Sequence, residues 1–126
     1  MANPNIAAAT TITFGNGIWY TRSTLTQILA VDTDYAIKIN TIHLCNWQSG
    51  AELVDIELSG IGATSTGVTY SNNSSSGYIA EDLSIAAGTN IQILENPIYL
   101  VEGDVIKATS ANSVYIFMSW EVFNDA

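Results

Sequence analysis

The chain has 126 residues, enough for one domain with a buried core, and 48% of them are hydrophobic. Three basic residues stand against twelve acidic ones, giving a formal net charge of −9 and a pI of about 4.1. Nucleic acids and anionic membranes bind through clustered Lys and Arg, so this composition argues against both as partners.

Further classes are excluded by segment length and cysteine count. No apolar run approaches the roughly 18–20 residues that a membrane helix needs. The single cysteine, Cys45, cannot form an intrachain disulfide. Because residues 1–5 lack the basic start and apolar stretch of a secretion signal, we expect synthesis in a cytoplasm without export.

The surface is expected to be polar but weakly charged. Only 12% of residues are charged, while Ser, Thr and Asn are abundant. Exposed strand edges are commonly protected by Lys, which is scarce here. We therefore expect neighbouring subunits to cover the edges.

The first half of the chain is predicted to form strands. Residues 1–9 are interpreted either as a frayed terminus or as an arm that orders on a neighbouring subunit. Residues 10–14 and 18–22 are rich in β-branched and aromatic residues and predict two strands, separated by a turn at Gly15-Asn16-Gly17. Residues 25–32 fit a strand better than a helical turn.

A long strand is predicted over residues 35–47. Its apolar alternation changes phase near Asn40-Thr41, which predicts a β-bulge. The following strand, residues 51–59, directs Val54, Ile56 and Leu58 inward by the same alternation and turns Asp55 and Glu57 outward.

Residues 60–77 form a low-complexity interval rich in Gly, Ser and Asn, with a possible short strand at 66–70. Two interpretations stay open, a solvated hairpin tip and an exposed loop that meets a partner.

The second half of the chain predicts the remaining strands. Two are expected within residues 78–87 and 91–95, followed by a bend at Asn96-Pro97. Three more are expected within residues 98–123. The last of these is apolar on both faces, so we expect it at the centre of a sheet.

Three residue pairs raise the question of chemistry. Asp32 and Asp34 lack the Gly and Glu of a calcium loop, and His43 and Cys45 lack further ligands or a partner base. Asp55 and Glu57 are expected to solvate the outer face of one strand rather than to act as paired acids. We expect no catalytic residue, no metal and no cofactor.

The strand count defines the predicted architecture. Eight to ten short strands, with no convincing amphipathic helix, predict an all-β fold: an antiparallel β-sandwich or a jelly-roll-like barrel. Residues 10–126 would form the single domain, preceded by the arm at residues 1–9.

Residues 37–123 carry a resemblance to a known family. The order of IKINTIHLCNWQSGAELVDIEL, then SIAAGTNIQILENPIYLVEGDVIKATSANS, then VYIFMSWEVF resembles small virion structural proteins of tailed bacteriophages of the cyanophage and marine phage type. The interval at residues 60–77 departs from the family pattern.

The resemblance implies a non-enzymatic β-sandwich subunit of a virion, first of all a decoration (cement) protein that binds and stabilises the phage head. Its partners would be the major capsid protein or other virion proteins, together with further copies of itself, with a trimer favoured. Candidate interface residues lie in the arm, in the 60–77 interval and among the aromatic residues: Asn3, Pro4, Ile6, Trp19, Tyr70, Asn72, Asn73 and Tyr78.

Two alternatives remain beside the decoration protein. The chain could serve as a neck, tail or fibre component of the virion. It could also be a carbohydrate-binding β-sandwich, which exposed Trp and Tyr near a Ser/Asn loop would suit.

Overall fold

The computed structural model describes residues 11–60, 67, 69 and 71–124, and every regular element in them is a β-strand. The strands are β1 (Thr11–Tyr20), β2 (Thr26–Ala30), β3 (Tyr35–Cys45), β4 (Glu52–Ser59), β5 (Ser76–Ile85), β6 (Asn90–Gln92), β7 (Ile98–Val101), β8 (Val105–Ser110) and β9 (Tyr115–Asn124). Within this described part of the chain, no helix has the length and apolar character to cross a membrane.

Two antiparallel sheets form a sandwich. In sheet A the order is β1-β9-β3, and β3 pairs further with β7 along its first half and with β6 along its end. In sheet B the order is β2-β8-β4-β5. This is the strand order of a jelly roll, so the predicted all-β antiparallel architecture is confirmed.

The core lies between the two sheets. β3 and β9 supply Ile39, Ile42, Leu44, Ile116 and Met118 from sheet A, all nearly inaccessible to solvent. Sheet B and the β7 strand contribute further buried side chains: Val54, Ile56, Ile106, Ala108 and Leu100. Each fully buried Ile or Leu contributes about 1.5–3 kcal/mol relative to an exposed one.

Two predictions about the long strands are confirmed. β9 lies between β1 and β3, as expected for a strand that is apolar on both faces. The pairing of β3 with β9 changes register between Ile39 and Thr41, where the apolar pattern changes phase. Because the bulge adds one residue there, Ile39 and Ile42 both point into the core.

The predicted turn at Gly15-Asn16-Gly17 is wrong. β1 runs unbroken from Thr11 to Tyr20 and pairs with β9 at all ten positions. A Cβ atom at Gly15 would lie 2.6 Å from Trp120 Nε1, and one at Gly17 would overlap the Trp19 ring. The glycines therefore make room for indole rings rather than for a turn.

Several boundaries differ from the prediction in smaller ways. Residues 25–32 contain a strand, β2, but it covers only five residues. β5 begins at Ser76, inside the interval that was interpreted as a loop. The possible strand at residues 66–70 falls largely outside the described residues. So does the arm at residues 1–9, and its separation from the domain stays a prediction.

Candidate interaction surface

The register of sheet A places aromatic side chains next to one another on its outer face. Tyr20 of β1 pairs with Tyr115 of β9, and Ile18 pairs with Phe117. Ile116 and Met118 alternate with these residues and fill the core. Since neighbouring residues of a strand point to opposite faces, Tyr115 and Phe117 point outward.

Four rings form what we call the aromatic cluster: Tyr20, Trp47, Tyr115 and Phe117. Ring centroids lie 4.2 Å apart for Trp47 and Tyr115, 4.9 Å for Tyr20 and Tyr115, and 6.0 Å for Tyr115 and Phe117. Tyr20, Trp47 and Phe117 are all exposed. Adjacent exposed rings of this kind mark contact surfaces more often than isolated ones do.

The cluster also perturbs one of its own groups. The side-chain hydrogen bond with Tyr20 and the charge of Tyr20 raise the pKa of the Tyr115 phenol above its usual value, with smaller contributions from burial and Cys45. Tyr115 therefore stays neutral to a higher pH than an isolated tyrosine.

Buried hydrogen bonds hold Trp47 in place. Asn46, fully buried, donates from Nδ2 to the carbonyl oxygens of Gly50 and Ile85, each at 2.9 Å. Its Oδ1 accepts from the Gln48 amide at 2.8 Å. Because both residues flanking Trp47 are fixed in this way, its ring is held against Tyr115.

A second network fixes the end of β1. The Thr21 amide donates to the Val114 carbonyl at 3.0 Å, and the Val114 amide donates to Thr21 Oγ1 at 2.9 Å. Thr21 Oγ1 also contacts Ser110 Oγ. These buried bonds hold Tyr20 and Tyr115, the neighbours of Thr21 and Val114 in sequence, side by side.

The two sheets differ in charge. The strands of sheet A contain one acidic residue, Glu121, and it lies 3.5 Å from Lys38 Nζ in a half-buried ion pair. The strands of sheet B contain five acidic residues: Glu52, Asp55, Glu57, Glu81 and Asp82. The aromatic cluster therefore lies on the less charged side of a strongly acidic molecule.

Tyr78, a predicted interface residue, lies on sheet B. It is exposed and pairs with Glu57 of β4. Burial raises the pKa of the Tyr78 phenol, and so do the charges of Glu57, Asp55 and two further acidic residues, Glu81 and Asp82. Its surroundings are acidic, unlike those of the aromatic cluster.

Of the other predicted interface residues that the structure describes, Trp19 lies apart from Asn72 and Asn73. Trp19 is half-buried and its ring lies 5.9 Å from that of Trp120, against the core. Asn72 and Asn73 are exposed in the segment before β5. Asn3, Pro4, Ile6 and Tyr70 lie outside the described residues, so a binding role for these eight residues, Tyr78 included, stays a prediction.

The pairs considered for chemistry have simple surroundings. His43 Nε2 lies 3.1 Å from Asn90 Oδ1, and Cys45 is a half-buried free thiol. Asp55 Oδ1 accepts a hydrogen bond from the Asp82 amide at 2.7 Å. Among the residues that the structure describes, no group of three or more His, Cys, Asp or Glu side chains is placed to hold a metal ion.

Sequence reasoning did not identify the aromatic cluster. Tyr20 and Tyr115 meet only through the pairing of β1 with β9, and Trp47 joins them from the loop after β3. The available signal was the alternation itself, because Tyr115 and Phe117 fall opposite to the residues that fill the core.

No protein-family model matches this sequence, and no curated protein matches it. Among solved structures, a chain of Bacillus endospore appendages, described as disulfide-linked pili, is similar with a TM-score of 0.49 at 10% identity, covering 99% of this chain and 96% of that one. A chain of the T13 viral particle of infectious bursal disease virus is similar with a TM-score of 0.52 at 7% identity, covering 93% of this chain and 32% of that one.

A chain from the Gx strain of the same virus gives a TM-score of 0.46 at 10% identity, covering 94% of this chain and 34% of that one. This chain thus spans about a third of the length of each viral chain. At 7% identity, the likeness to the T13 particle chain shows a shared β-sandwich fold and nothing about activity.

Proposed function

We propose that this chain is a non-enzymatic virion structural protein that decorates the head of a tailed bacteriophage and stabilises its shell. The aromatic cluster is the observation that carries the proposal. It would bind the major capsid protein or another shell component. The protein would then reside in the virion after synthesis in the host bacterial cytoplasm.

The physical properties of the cluster suit protein binding. Tyr and Trp are enriched at the centre of protein interfaces, where charged residues are depleted. The outer face of sheet A has this composition, since its one acidic residue, Glu121, is paired with Lys38. Burying apolar surface there contributes about 25 cal/mol per Å² before the cost of association is subtracted.

Stabilisation of the shell would follow from linkage. A protein that binds the assembled shell more tightly than its free subunits shifts the equilibrium toward assembly. A surface formed by sheet strands suits this task, because the rings are held in place before binding and lose little conformational freedom.

Co-sedimentation with purified heads of the phage that encodes the chain tests the proposal. Wild-type protein should sediment with heads, and Trp47→Ala should weaken binding by about tenfold or more. Leu53→Ala is the matched control, since it removes an exposed apolar side chain from β4 of the acidic sheet instead. Absence of wild-type binding, or equal loss in both variants, would contradict the proposal.

Labelling of intact virions separates the alternatives of the same class. An antibody against the chain would mark the head surface if it is a decoration protein, and the neck, tail or fibres if it is an accessory protein there. Labelling away from the head would move the proposed partner to that structure.

Carbohydrate binding is a second candidate, favoured by the same rings. Exposed Tyr20 and Trp47 could stack on sugar rings, and jelly rolls occur in lectins as well as in viral capsids. A glycan array with wild-type and Trp47→Ala protein separates the two functions. Binding to defined glycans without binding to heads would favour this candidate.

A further inference from the structure

The first strand combines features that call for a partner at its open edge. Within the described residues β1 pairs with β9 alone, so its other edge has no strand beside it there. Its ten residues, TITFGNGIWY, include no charged residue and no proline. Long, uncharged edges of this kind are templates for pairing with another strand.

The other edge strands of the sandwich are protected. β2 has five residues, β7 has four and β6 has three. β5 has ten residues, but it carries Glu81 and Asp82, and its pairing with β4 changes register twice. Short length, charge and bulges are the devices that prevent edge pairing, and β1 lacks them.

We propose that β1 pairs antiparallel with β1 of a second copy of this chain, forming a two-fold symmetric dimer. This dimer would form whether or not the chain has the proposed function, and it differs from the trimer that the resemblance implies.

The residue order of β1 defines the register. An antiparallel pair of identical strands joins residue i to residue j with i + j even, because directly opposite residues share the same hydrogen-bonding state. In the register where the two paired residue numbers add up to 32, Phe14 faces Ile18 of the second copy, Ile12 faces Tyr20, and Asn16 faces Asn16. A sum of 30 would instead place Phe14 opposite Asn16.

The side chains in that register are already exposed and apolar. Phe14 is 80% exposed, Ile18 65%, Tyr20 59% and Ile12 53%. Cross-strand apolar pairs stabilise a sheet, and the two Asn16 amides can hydrogen-bond across the axis. The strand is thus nearly palindromic in chemistry about Asn16.

Charge favours a second copy at this edge rather than elsewhere. Two molecules of net charge −9 repel each other, and the acidic residues of the strands lie mostly in sheet B. β1 has none, and in sheet A Glu121 is paired with Lys38. The two-fold axis also places both aromatic clusters on the same side of the joined sheet.

Sedimentation of the whole chain at about 1–500 µM tests the dimer, since a strand-edge interface is small and association in the micromolar range is expected. Asn16→Asp places two carboxylates opposite each other and should weaken dimerisation about tenfold. Asn16→Lys should do the same. An equimolar mixture of the two variants should dimerise again.

Two controls make the outcome specific. Asn96→Asp adds the same charge at an exposed turn and should leave dimerisation unchanged. In a Cys45→Ser background, Asn16→Cys should cross-link the two copies on oxidation. Phe14→Cys should not, because the two copies of residue 14 lie about 13 Å apart in this register. Circular dichroism checks that each variant is folded.

A wild-type chain that stays monomeric across the range, or forms a trimer, overturns the proposal. So does an Asn16→Asp variant that dimerises like wild type, or efficient cross-linking through Phe14→Cys in place of Asn16→Cys.

Discussion

The indole rings of Trp19 and Trp120 lie with their centroids 5.9 Å apart, inclined by 31°, over the two glycines of β1. Trp120 contacts the position where Gly15 would carry a Cβ atom, and Trp19 contacts the corresponding position at Gly17. Both rings pack against the core, so neither can move away freely. The glycines and the indoles therefore form one packed unit.

Gly15→Ala should lower the free energy of unfolding by about 1–3 kcal/mol, as overpacking of a tight site typically does. The added methyl group would lie 2.6–2.9 Å from three atoms of the Trp120 ring. Urea denaturation followed by tryptophan fluorescence measures the change. A quenched or shifted native spectrum should accompany it, because the ring must move.

Gly77→Ala is the matched control for this prediction. Gly77 is also a strand glycine, yet a Cβ atom there would meet nothing within 4 Å. The free energy of unfolding of the Gly77→Ala variant should be unchanged or about 0.5 kcal/mol higher, since alanine restricts the unfolded chain. Equal effects of the two substitutions would show that ring packing does not explain Gly15.

Asn46→Asp should be among the more destabilising single changes, by about 2–4 kcal/mol. The amide nitrogen of Asn46 donates to two carbonyl oxygens, whereas an ionised carboxylate has no donor and would face both of them. Thermal or urea unfolding measures the loss. Because Asn46 holds the loop, the fluorescence of Trp47 should also shift toward that of exposed indole.

Asn73→Asp makes the same chemical change at an exposed position. It should alter stability by less than about 0.5 kcal/mol. If Asn46→Asp were equally mild, the two carbonyl contacts would contribute little, and another feature would have to position Trp47.

Asp104 should make stability fall as pH rises from acid toward neutral. Burial raises the pKa of its carboxyl, and the hydrogen bond from the Val101 amide to Oδ2, at 2.9 Å, offsets this only in part. The unfolded chain then releases this proton at lower pH than the folded chain. The stabilisation that the Asp104 carboxyl contributes is fully present below the ordinary aspartate pKa. It is lost as the pH rises through the raised pKa of Asp104 in the folded chain.

Asp104→Asn keeps an acceptor for the Val101 amide and removes the titration. Relative to wild type, its free energy of unfolding should therefore be higher near pH 7 than near pH 3, in urea titrations at both values. Asp32→Asn, at an exposed position, reports the effect of net charge alone. A constant difference between Asp104→Asn and wild type at both pH values would contradict the assignment.

Local alternation explains why much of the fold was predictable. The apolar alternation places Val54 and Ile56 on one buried face of β4, and its change of phase near Asn40 marks the bulge in β3. Period-2 patterns report which side of a strand faces the core, whatever the topology. They do not report which strands become neighbours.

Contacts between distant segments explain the errors. Gly15-Asn16-Gly17 has the composition of a turn, and the glycine at position 15 is explained only by Trp120, from the last strand, while Gly17 makes room for Trp19 of β1 itself. The aromatic cluster likewise depends on the register of Tyr20 with Tyr115 and on a loop residue, Trp47. A single sequence carries no signal for such pairings.

Tyr20→Phe should lower the pKa of Tyr115. The hydrogen bond with the Tyr20 side chain is the largest cause of the raised value, followed by the charge of Tyr20, and the substitution removes both while keeping the ring. A pH titration of the protein with ¹³Cζ-labelled tyrosine separates the six tyrosines by NMR, and Tyr115→Phe assigns the signal. Tyr78→Phe, on the other sheet, should leave the Tyr115 curve unchanged. A Tyr115 curve that stays in place in Tyr20→Phe would mean that burial and Cys45, the remaining causes, dominate instead.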